Sequence, residues 1–349
     1  MAIRVLVVDD SALIRSLLSE IIRQDPELEL VGAAPDAFVA KDMVMQLKPD
    51  VITLDIEMPK VDGLTFLDRL MKARPTPVVM ISTLTEKGAD ATIRSLELGA
   101  IDFIAKPKLN VTQGIGEYQK EIVAKIKVAA ASKPKARVPS IASTRAIPLV
   151  YQGTETIVAI GASTGGTEAI RQVLETLSPA FPATVITQHM PPNFTRSFAV
   201  RLNTICKIQV KEAQDGERLL PGNAYIAPGD KHLEIVRHGA DYRVSLNNGA
   251  LVSGHKPAVD VMFQSLAKVA GMNTVATILT GMGKDGAQGL LALKQAGAIT
   301  MAQNEESCVV YGMPKAAIDI GATDNVYSLD KMSLALSKAV EKISKGTRL

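Results

Sequence analysis

The chain has 349 residues, of which 47% are hydrophobic and 21% are charged, and its formal net charge is +3. This balance excludes a wholly disordered chain, and the length predicts about two domains with sizeable buried cores. Aromatic residues make up only 4%, which argues against a base-stacking surface, and the small net charge argues against a strongly basic protein that binds nucleic acid or a membrane surface.

The two cysteines, Cys206 and Cys308, allow at most one disulfide, which favours a reducing compartment. The N-terminus lacks the long apolar region of a signal peptide, and no uncharged apolar run reaches the roughly 18 residues of a membrane helix. The sequence therefore predicts a cytoplasmic protein without membrane insertion.

The first 130 residues alternate between short apolar runs and segments with helical spacing. Such alternation predicts a parallel sheet with helices on both faces, which is the doubly wound α/β class. The predicted strands are residues 3–8, 28–31, 51–54, 78–81 and 101–104.

Charged and polar side chains follow the predicted strands of this first region. Asp9 and Asp10 follow the first strand, Asp55 the third, Ser82 the fourth and Lys106 the fifth. Each acid alone is most simply interpreted as a helix N-cap. Together they lie where doubly wound sheets bind ligands, so we favour a pocket for Mg²⁺ and a phosphoryl group.

The first region closely resembles the receiver domain of two-component response regulators, over about residues 1–125. This resemblance implies a flavodoxin-like doubly wound sheet. The matching residues are Val7-Val8-Asp9-Asp10-Ser11, Asp55, Met58-Pro59, Asp62-Gly63, Ser82 and Lys106-Pro107.

The receiver resemblance also implies roles for single residues. Asp55 would be phosphorylated by a histidine kinase. Asp10, Asp55 and the backbone carbonyl of Glu57 would hold Mg²⁺, with Asp9 as a further candidate ligand. The implied switch residues are Ser82, Phe103 and Lys106, although many relatives have Thr and Tyr at the first two positions.

Residues 126–150 are predicted to form a linker, and the composition changes most clearly from residue 132. Three prolines interrupt any helix there, and four basic residues occur without an acid. We interpret this stretch as a solvated tether rather than as a docking site for an acidic partner.

A second α/β pattern fills residues 151–349, with predicted strands at 156–160, 184–187, 274–279 and 299–302. Helices are predicted at 168–177 and 331–343. Short alternating segments between residues 224 and 246 predict one or two antiparallel hairpins. The expected architecture is a second doubly wound α/β domain with an antiparallel hairpin region.

A glycine-rich turn between a predicted strand and helix contains Ser163, in the sequence Gly161-Ala162-Ser163-Thr164-Gly165-Gly166. Its first five residues fit G-x-S-x-G, which lifts a serine above a sheet edge. A dinucleotide-binding turn is the rival interpretation, but the spacing is not G-x-G-x-x-G. A tight structural turn is the simplest alternative.

His189 favours the nucleophile interpretation, because it follows a predicted strand and reaches the same sheet edge as Ser163. Asp285 comes after a third predicted strand, in the glycine-rich sequence Gly281-Met282-Gly283-Lys284-Asp285-Gly286, where it could orient His189. The order Ser163, His189, Asp285 differs from that of α/β-hydrolases and from both protease orders. The other histidines, His232, His238 and His255, are expected at the surface, and the alternative for His255, together with Lys256, is a contact with substrate.

Essentially the whole chain resembles the CheB family of chemotaxis receptor methylesterases, in which a linker joins a receiver to a serine-esterase domain. The matching residues are Gly161-Ala162-Ser163-Thr164-Gly165-Gly166, Gln188-His189-Met190-Pro191-Pro192, Tyr225-Ile226-Ala227-Pro228-Gly229-Asp230 and Leu279-Thr280-Gly281-Met282-Gly283 with Asp285-Gly286.

This second resemblance implies a phosphorylation-activated esterase that hydrolyses glutamyl methyl esters, and deamidates glutamines, on methyl-accepting chemoreceptors. Ser163, His189 and Asp285 would be catalytic, backbone N–H groups near Met282 would bind the oxyanion, and the esterase would need no cofactor. The kinase would be a chemotaxis histidine kinase, and we expect a monomer that does not bind nucleic acid.

Two other classes stay open on the residues alone. A transcriptional regulator would need a basic recognition helix, which the second domain does not offer. A nucleotide-dependent enzyme would use the turn at Ser163 to bind phosphates.

Overall fold

Apolar runs and amphipathic segments form strands and helices over residues 1–106, 115–132 and 155–346, which are the parts described by a computed structural model. The chain divides into two units, residues 1–141 and 142–349. Pro107, the predicted tether from residue 133 onward and the predicted domain start at Tyr151 lie outside the described residues.

The first unit contains one five-stranded parallel sheet in the order β2-β1-β3-β4-β5, which confirms the doubly wound prediction. Its strands are β1 (Ile3–Val8), β2 (Leu28–Ala34), β3 (Val51–Asp55), β4 (Val78–Ser82) and β5 (Asp102–Ala105). Its helices are α1 (Ala12–Gln24), α2 (Ala37–Leu47), α3 (Gly63–Ala73), α4 (Glu86–Glu97) and α5 (Ile115–Ala131).

Helix α5 continues six residues beyond the predicted domain end at residue 125, so residues 126–131 are helix and not linker. The reason is helical spacing of apolar side chains: Ile122, Ile126 and Ala129 are fully buried against the core of the first unit. Burial of that stripe continues the helix to the point where the prolines begin.

The second unit contains a seven-stranded parallel sheet in the order β14-β13-β12-β6-β7-β9-β8 and a separate antiparallel pair, β10-β11. Its strands are β6 (Ile157–Ala162), β7 (Ala183–Gln188), β8 (Gln209–Glu212), β9 (Asn223–Ile226), β10 (His232–His238), β11 (Asp241–Asn247), β12 (Thr274–Ile278), β13 (Ile299–Gln303) and β14 (Asn325–Tyr327). Its α-helices are α6 (Gly166–Glu175), α7 (Phe194–Ile205), α8 (Val259–Val269), α9 (Ala287–Gln295), α10 (Met313–Asp319) and α11 (Leu329–Gly346).

The predicted antiparallel region is confirmed in part. Strands β10 and β11 form a hairpin, but β9, at the start of the predicted region, joins the parallel sheet beside β7. The edge strands β8 and β14 were not predicted. Both are short and mixed in polarity, and Val326 of β14 is exposed, so neither has the apolar run that marks a buried strand.

Each parallel sheet contains a switch point, at which the crossovers from two neighbouring strands lead to opposite sides of the sheet. In the first sheet this point lies between β1 and β3, and in the second it lies between β6 and β12. Doubly wound sheets bind ligands at the carboxyl ends of the strands that flank such a point. Asp9 follows β1, Asp55 ends β3, Ser163 follows β6 and Asp285 comes after β12. The other two members of these sites, Lys106 and His189, follow β5 and β7.

Candidate active site and phosphoacceptor site

Ser163 directly follows β6, and hydrogen bonds from three directions fix its backbone. The Ser163 N–H donates to the carbonyl of Thr280 at 3.0 Å, and the Ser163 carbonyl accepts from the Gly166 N–H at 2.7 Å. The side-chain amide of Gln188 donates to the same carbonyl at 2.9 Å. The turn between β6 and α6 is therefore tied to the ends of β12 and β7.

Two glycines make the close approach around Ser163 possible. A Cβ at Gly281 would lie 2.8 Å from the Cβ of Ser163 and 2.3 Å from the sulfur of Met313. Gly165, which precedes α6, has φ +76°, and a Cβ there would lie 2.6 Å from Val309. Any side chain at either position would displace the serine or its neighbours.

The imidazole of His189 links the serine to an aspartate. Its Nδ1 lies 3.1 Å from the Oγ of Ser163, and its Nε2 lies 2.7 Å from Oδ2 of Asp285. The side chains of His189 and Asp285 are 7% and 1% exposed. The ionised carboxylate only accepts hydrogen bonds, so the proton belongs on Nε2 and the lone pair on Nδ1 faces the serine hydroxyl.

Asp285 lies at the N-terminus of α8. Its carboxylate accepts hydrogen bonds from the backbone N–H groups of Val259 at 2.7 Å and Asp260 at 3.1 Å. Burial opposes ionisation, but the bonds from His189 and these two N–H groups outweigh it and lower the pKa of Asp285. An ionised Asp285 holds the Nε2 proton of His189 and stabilises the imidazolium.

Two backbone N–H groups beside the serine are candidates for binding an oxyanion. Within the described residues, the N–H groups of Met282 and Gly165 make no hydrogen bond. Met282 follows Gly281, whose N–H and carbonyl are both bonded to the segment that leads into α10. The Met282 peptide is thus held in place with its donor free.

Two of the three remaining histidines differ from the surface prediction. His255 stacks on His189, with ring centroids 3.7 Å apart and planes inclined by 12°. His232 is 2% exposed and hydrogen-bonded through both ring nitrogens. His238 is exposed as expected. No periodic pattern surrounds His232 or His255 in the sequence, so only the folded loops reveal their positions.

At the edge of the first sheet, Lys106 lies between two buried carboxylates. Its Nζ is 2.8 Å from Asp55 and 3.2 Å from Asp9, which are 1% and 0% exposed. Asp10 is exposed, and ligand oxygens of Asp9, Asp10 and Asp55 all lie within 4.8 Å of one another. Such a set of oxygen donors fits a hard cation such as Mg²⁺.

Burial dominates the electrostatics of this acidic pocket. It raises the pKa of Asp55 to about 6 and also raises that of Asp9, against the opposing effect of Lys106. Burial disfavours the charged form of Lys106 as well, but the two carboxylates outweigh it and raise the pKa of the ammonium group. One cation thus compensates the two buried acids incompletely, which favours a second cation at the site.

The helix-cap interpretation does not account for these acids. Ser11 caps α1 and Asp62 caps α3, whereas Asp55 caps no helix.

The hydroxyl of Ser82 donates to the carbonyl of Gly88 at 3.2 Å and accepts from Thr92 at 2.7 Å, so it faces α4.

Phe103 is 4% exposed. The ammonium group of Lys125 lies 5.3 Å from the centre of its ring. Glu57 donates its N–H to Asp55 at 3.3 Å.

Among the helices that the structure describes, none combines the length and the apolar composition that spanning a membrane requires.

Comparison with known proteins matches residues 158–336 to the CheB methylesterase family and residues 5–112 to the response regulator receiver domain. The chain is 58% identical over 349 residues to protein-glutamate methylesterase/protein-glutamine glutaminase 2 of Pseudomonas aeruginosa, covering 100% of both. A Salmonella typhimurium protein-glutamate methylesterase/protein-glutamine glutaminase is 55% identical over 346 residues, covering 99% of this chain and 98% of that one. The solved catalytic domain of the Thermotoga maritima CheB methylesterase has TM-score 0.52 and 40% identity, covering 53% of this chain and 99% of that one.

Proposed function

The chain belongs to the family of CheB methylesterases with a receiver domain, and on this premise we propose that Ser163, His189 and Asp285 carry its esterase reaction. It hydrolyses protein glutamyl methyl esters and deamidates protein glutamine, in bacterial chemotaxis under control of phosphorylation. The observation that carries the residue assignment is the chain of contacts from Ser163 through His189 to Asp285, with distances of 3.1 and 2.7 Å.

The reaction begins when the Oγ of Ser163 attacks the ester carbonyl and its proton passes to Nδ1 of His189. The imidazolium keeps its Nε2 proton in the hydrogen bond to Asp285. The carbonyl oxygen becomes an oxyanion, which accepts hydrogen bonds from the Met282 N–H and from the turn after Ser163. His189 then protonates the leaving oxygen, and methanol departs from an acyl-enzyme.

The second half of the reaction repeats these proton transfers with water. His189 takes a proton from water, the hydroxide attacks the acyl carbon, and the Ser163 oxygen leaves with the proton from His189. The product is a free glutamate side chain. A glutamine amide follows the same tetrahedral path, with ammonia leaving in place of methanol.

Methyl-accepting chemoreceptors are the proposed substrate and a chemotaxis histidine kinase the proposed phosphodonor, both on grounds of family membership. Asp55 is the proposed phosphoacceptor, because it is the buried carboxylate that ends β3 beside Lys106. Asp10, Asp55 and the Glu57 carbonyl would hold Mg²⁺, with Asp9 as a further ligand. The metal would neutralise the charge of the phosphoryl oxygens, and Lys106 would contact one of them. Ser82, Phe103 and Lys106 are the proposed switch residues.

The test measures methanol release from methylated receptors, with and without a small phosphodonor such as acetyl phosphate. We expect release that depends on Ser163 and rises with the phosphodonor. A serine-reactive phosphonate should label Ser163, whereas thermal stabilisation by a dinucleotide would favour the nucleotide-binding alternative. A salt-dependent shift of DNA by the purified chain would favour the transcriptional alternative.

A further inference from the structure

We infer that His255 is a positioning residue for the esterase reaction, because its ring stacks on His189 and sets the plane in which the imidazole meets Ser163 and Asp285. The rings are 3.7 Å apart and nearly parallel, at 12°. This inference rests on the proposed function of Ser163 and His189.

A stacked ring restricts the motion that hydrogen bonds leave free. The contacts of His189 to Ser163 and Asp285 lie at two points of the ring, so they permit rocking about the line between these points. A flat partner at van der Waals distance opposes such rocking on one face. A reaction that needs the lone pair on Nδ1 to face Oγ depends on that angle.

The backbone at His255 is itself hydrogen-bonded into a tight turn. The N–H groups of Val252 and His255 donate to each other's carbonyls, at 3.1 and 2.9 Å. Between them, Ser253 and Gly254 have φ of +53° and +82°, as in a type I′ turn. His255 therefore starts from a closed two-residue turn rather than from an open loop.

The buried side chain of His232 is hydrogen-bonded to the backbone on both sides of this turn. Its Nε2–H donates to the carbonyl of Ala250 at 2.8 Å, and its Nδ1 accepts from the Ala258 N–H at 3.2 Å. The next residue, Val259, donates its N–H to Asp285. One braced segment, residues 250–260, thus carries the ring that stacks on His189 and the N–H groups that hold the carboxylate.

The experiment compares three full-length variants in receptor demethylation. His255→Ala should lower kcat about 10- to 100-fold with little change in KM, as expected for a misplaced reacting group. His255→Phe, which keeps a flat ring, should recover most of kcat. His238→Ala, an exposed histidine at the end of β10, is the matched control and should leave kcat unchanged.

Nitrogen-15 NMR of His189 supplies a readout of geometry that does not depend on turnover. The unsubstituted chain and His255→Phe should show one tautomer with the proton on Nε2, and His255→Ala should show averaging. Unchanged kcat in His255→Ala would overturn the inference, as would a phenylalanine variant no better than alanine. If Ser163→Ala kept its activity, the proposed function itself would fail; loss in Ser163→Ala beside an unaffected His255→Ala would refute only the role of His255.

Discussion

The acidic pocket of the first unit and the serine site of the second occupy the same place in their sheets, but they differ in how their charges are satisfied. In the pocket, Lys106 is shared by buried Asp9 and Asp55, and the pKa of Asp55 rises to about 6. In the serine site, Asp285 accepts three hydrogen bonds, and its pKa falls.

On this difference we propose that the acidic pocket binds an added ion and that the serine site works without one. Buried carboxylates without enough donors favour protonation or a bound cation, so the acidic pocket should respond to metal and phosphoryl group. A carboxylate with a full set of donors stays ionised and serves as a fixed orienting group. The variants below test this contrast, in descending order of their effect on basal esterase activity.

Ser163→Ala should lower basal methanol release by about 10⁴-fold or more, because it removes the hydroxyl that forms the acyl-enzyme. The phosphoacceptor lies in the other unit, so Asp55 should still take phosphate from acetyl phosphate. Methanol release and phosphate incorporation are measured on the same preparation. Esterase activity retained by this variant would remove Ser163 from the reaction.

Asp285→Asn should lower kcat by about 10⁴-fold, with a smaller effect on KM. An asparagine can turn its amide toward Nε2 and donate to it, which moves the imidazole proton to Nδ1 and removes the lone pair that Ser163 needs. Steady-state kinetics checks the loss, and NMR of His189 should show the changed tautomer. A variant with normal kcat would mean that Asp285 only supports the fold.

Gly281→Ala should lower kcat and also destabilise the second unit by about 1–3 kcal/mol, the usual cost of overpacking. The new Cβ would lie 2.8 Å from that of Ser163, so the serine must shift. Gly116→Ala is the matched control, because a Cβ there meets nothing within 4 Å. The free energy of unfolding in denaturant and kcat are measured for both variants. Equal values in the two variants would show that the backbone at Gly281 tolerates a side chain beside Ser163.

The sequence predicted Ser163, His189 and Asp285 for one physical reason. Ser163 and His189 directly follow the buried strands β6 and β7, and the glycine-rich corner with Asp285 follows β12, so the parallel sheet brings them to one edge. Asp9 and Asp55 were predicted in the same way. To predict these residues, only the order and direction of the strands had to be known, and the apolar runs in the sequence indicate where the strands lie.

The parts that were missed depend on loop geometry or on weak patterns. His255 reaches His189 only because a turn with two positive φ angles reverses the chain, and the polar sequence around it resembles any surface loop. The buried role of His232 depends on carbonyl and N–H partners 18 and 26 residues away. The edge strands lacked an apolar run, and the end of α5 was placed six residues early although the composition changes most clearly only from residue 132.

Asp55→Asn should leave basal esterase activity unchanged and abolish its stimulation by acetyl phosphate. The carboxylate is the proposed phosphoacceptor, and it takes no part in the serine site. Methanol release is measured with and without phosphodonor, and phosphate incorporation is followed in parallel. Asp42→Asn, an exposed acid on α2, is the matched control and should keep full stimulation.

Removal of divalent metal with a chelator sharpens the same comparison, because only the acidic pocket should need an ion. Chelation of the unsubstituted chain should reproduce the Asp55→Asn result: basal activity stays and stimulation is lost, since the buried acids no longer have a second cation beside them. Stimulation that survived either treatment would contradict the assignment of the pocket. Loss of basal activity on chelation would instead show that the serine site is not complete within the protein.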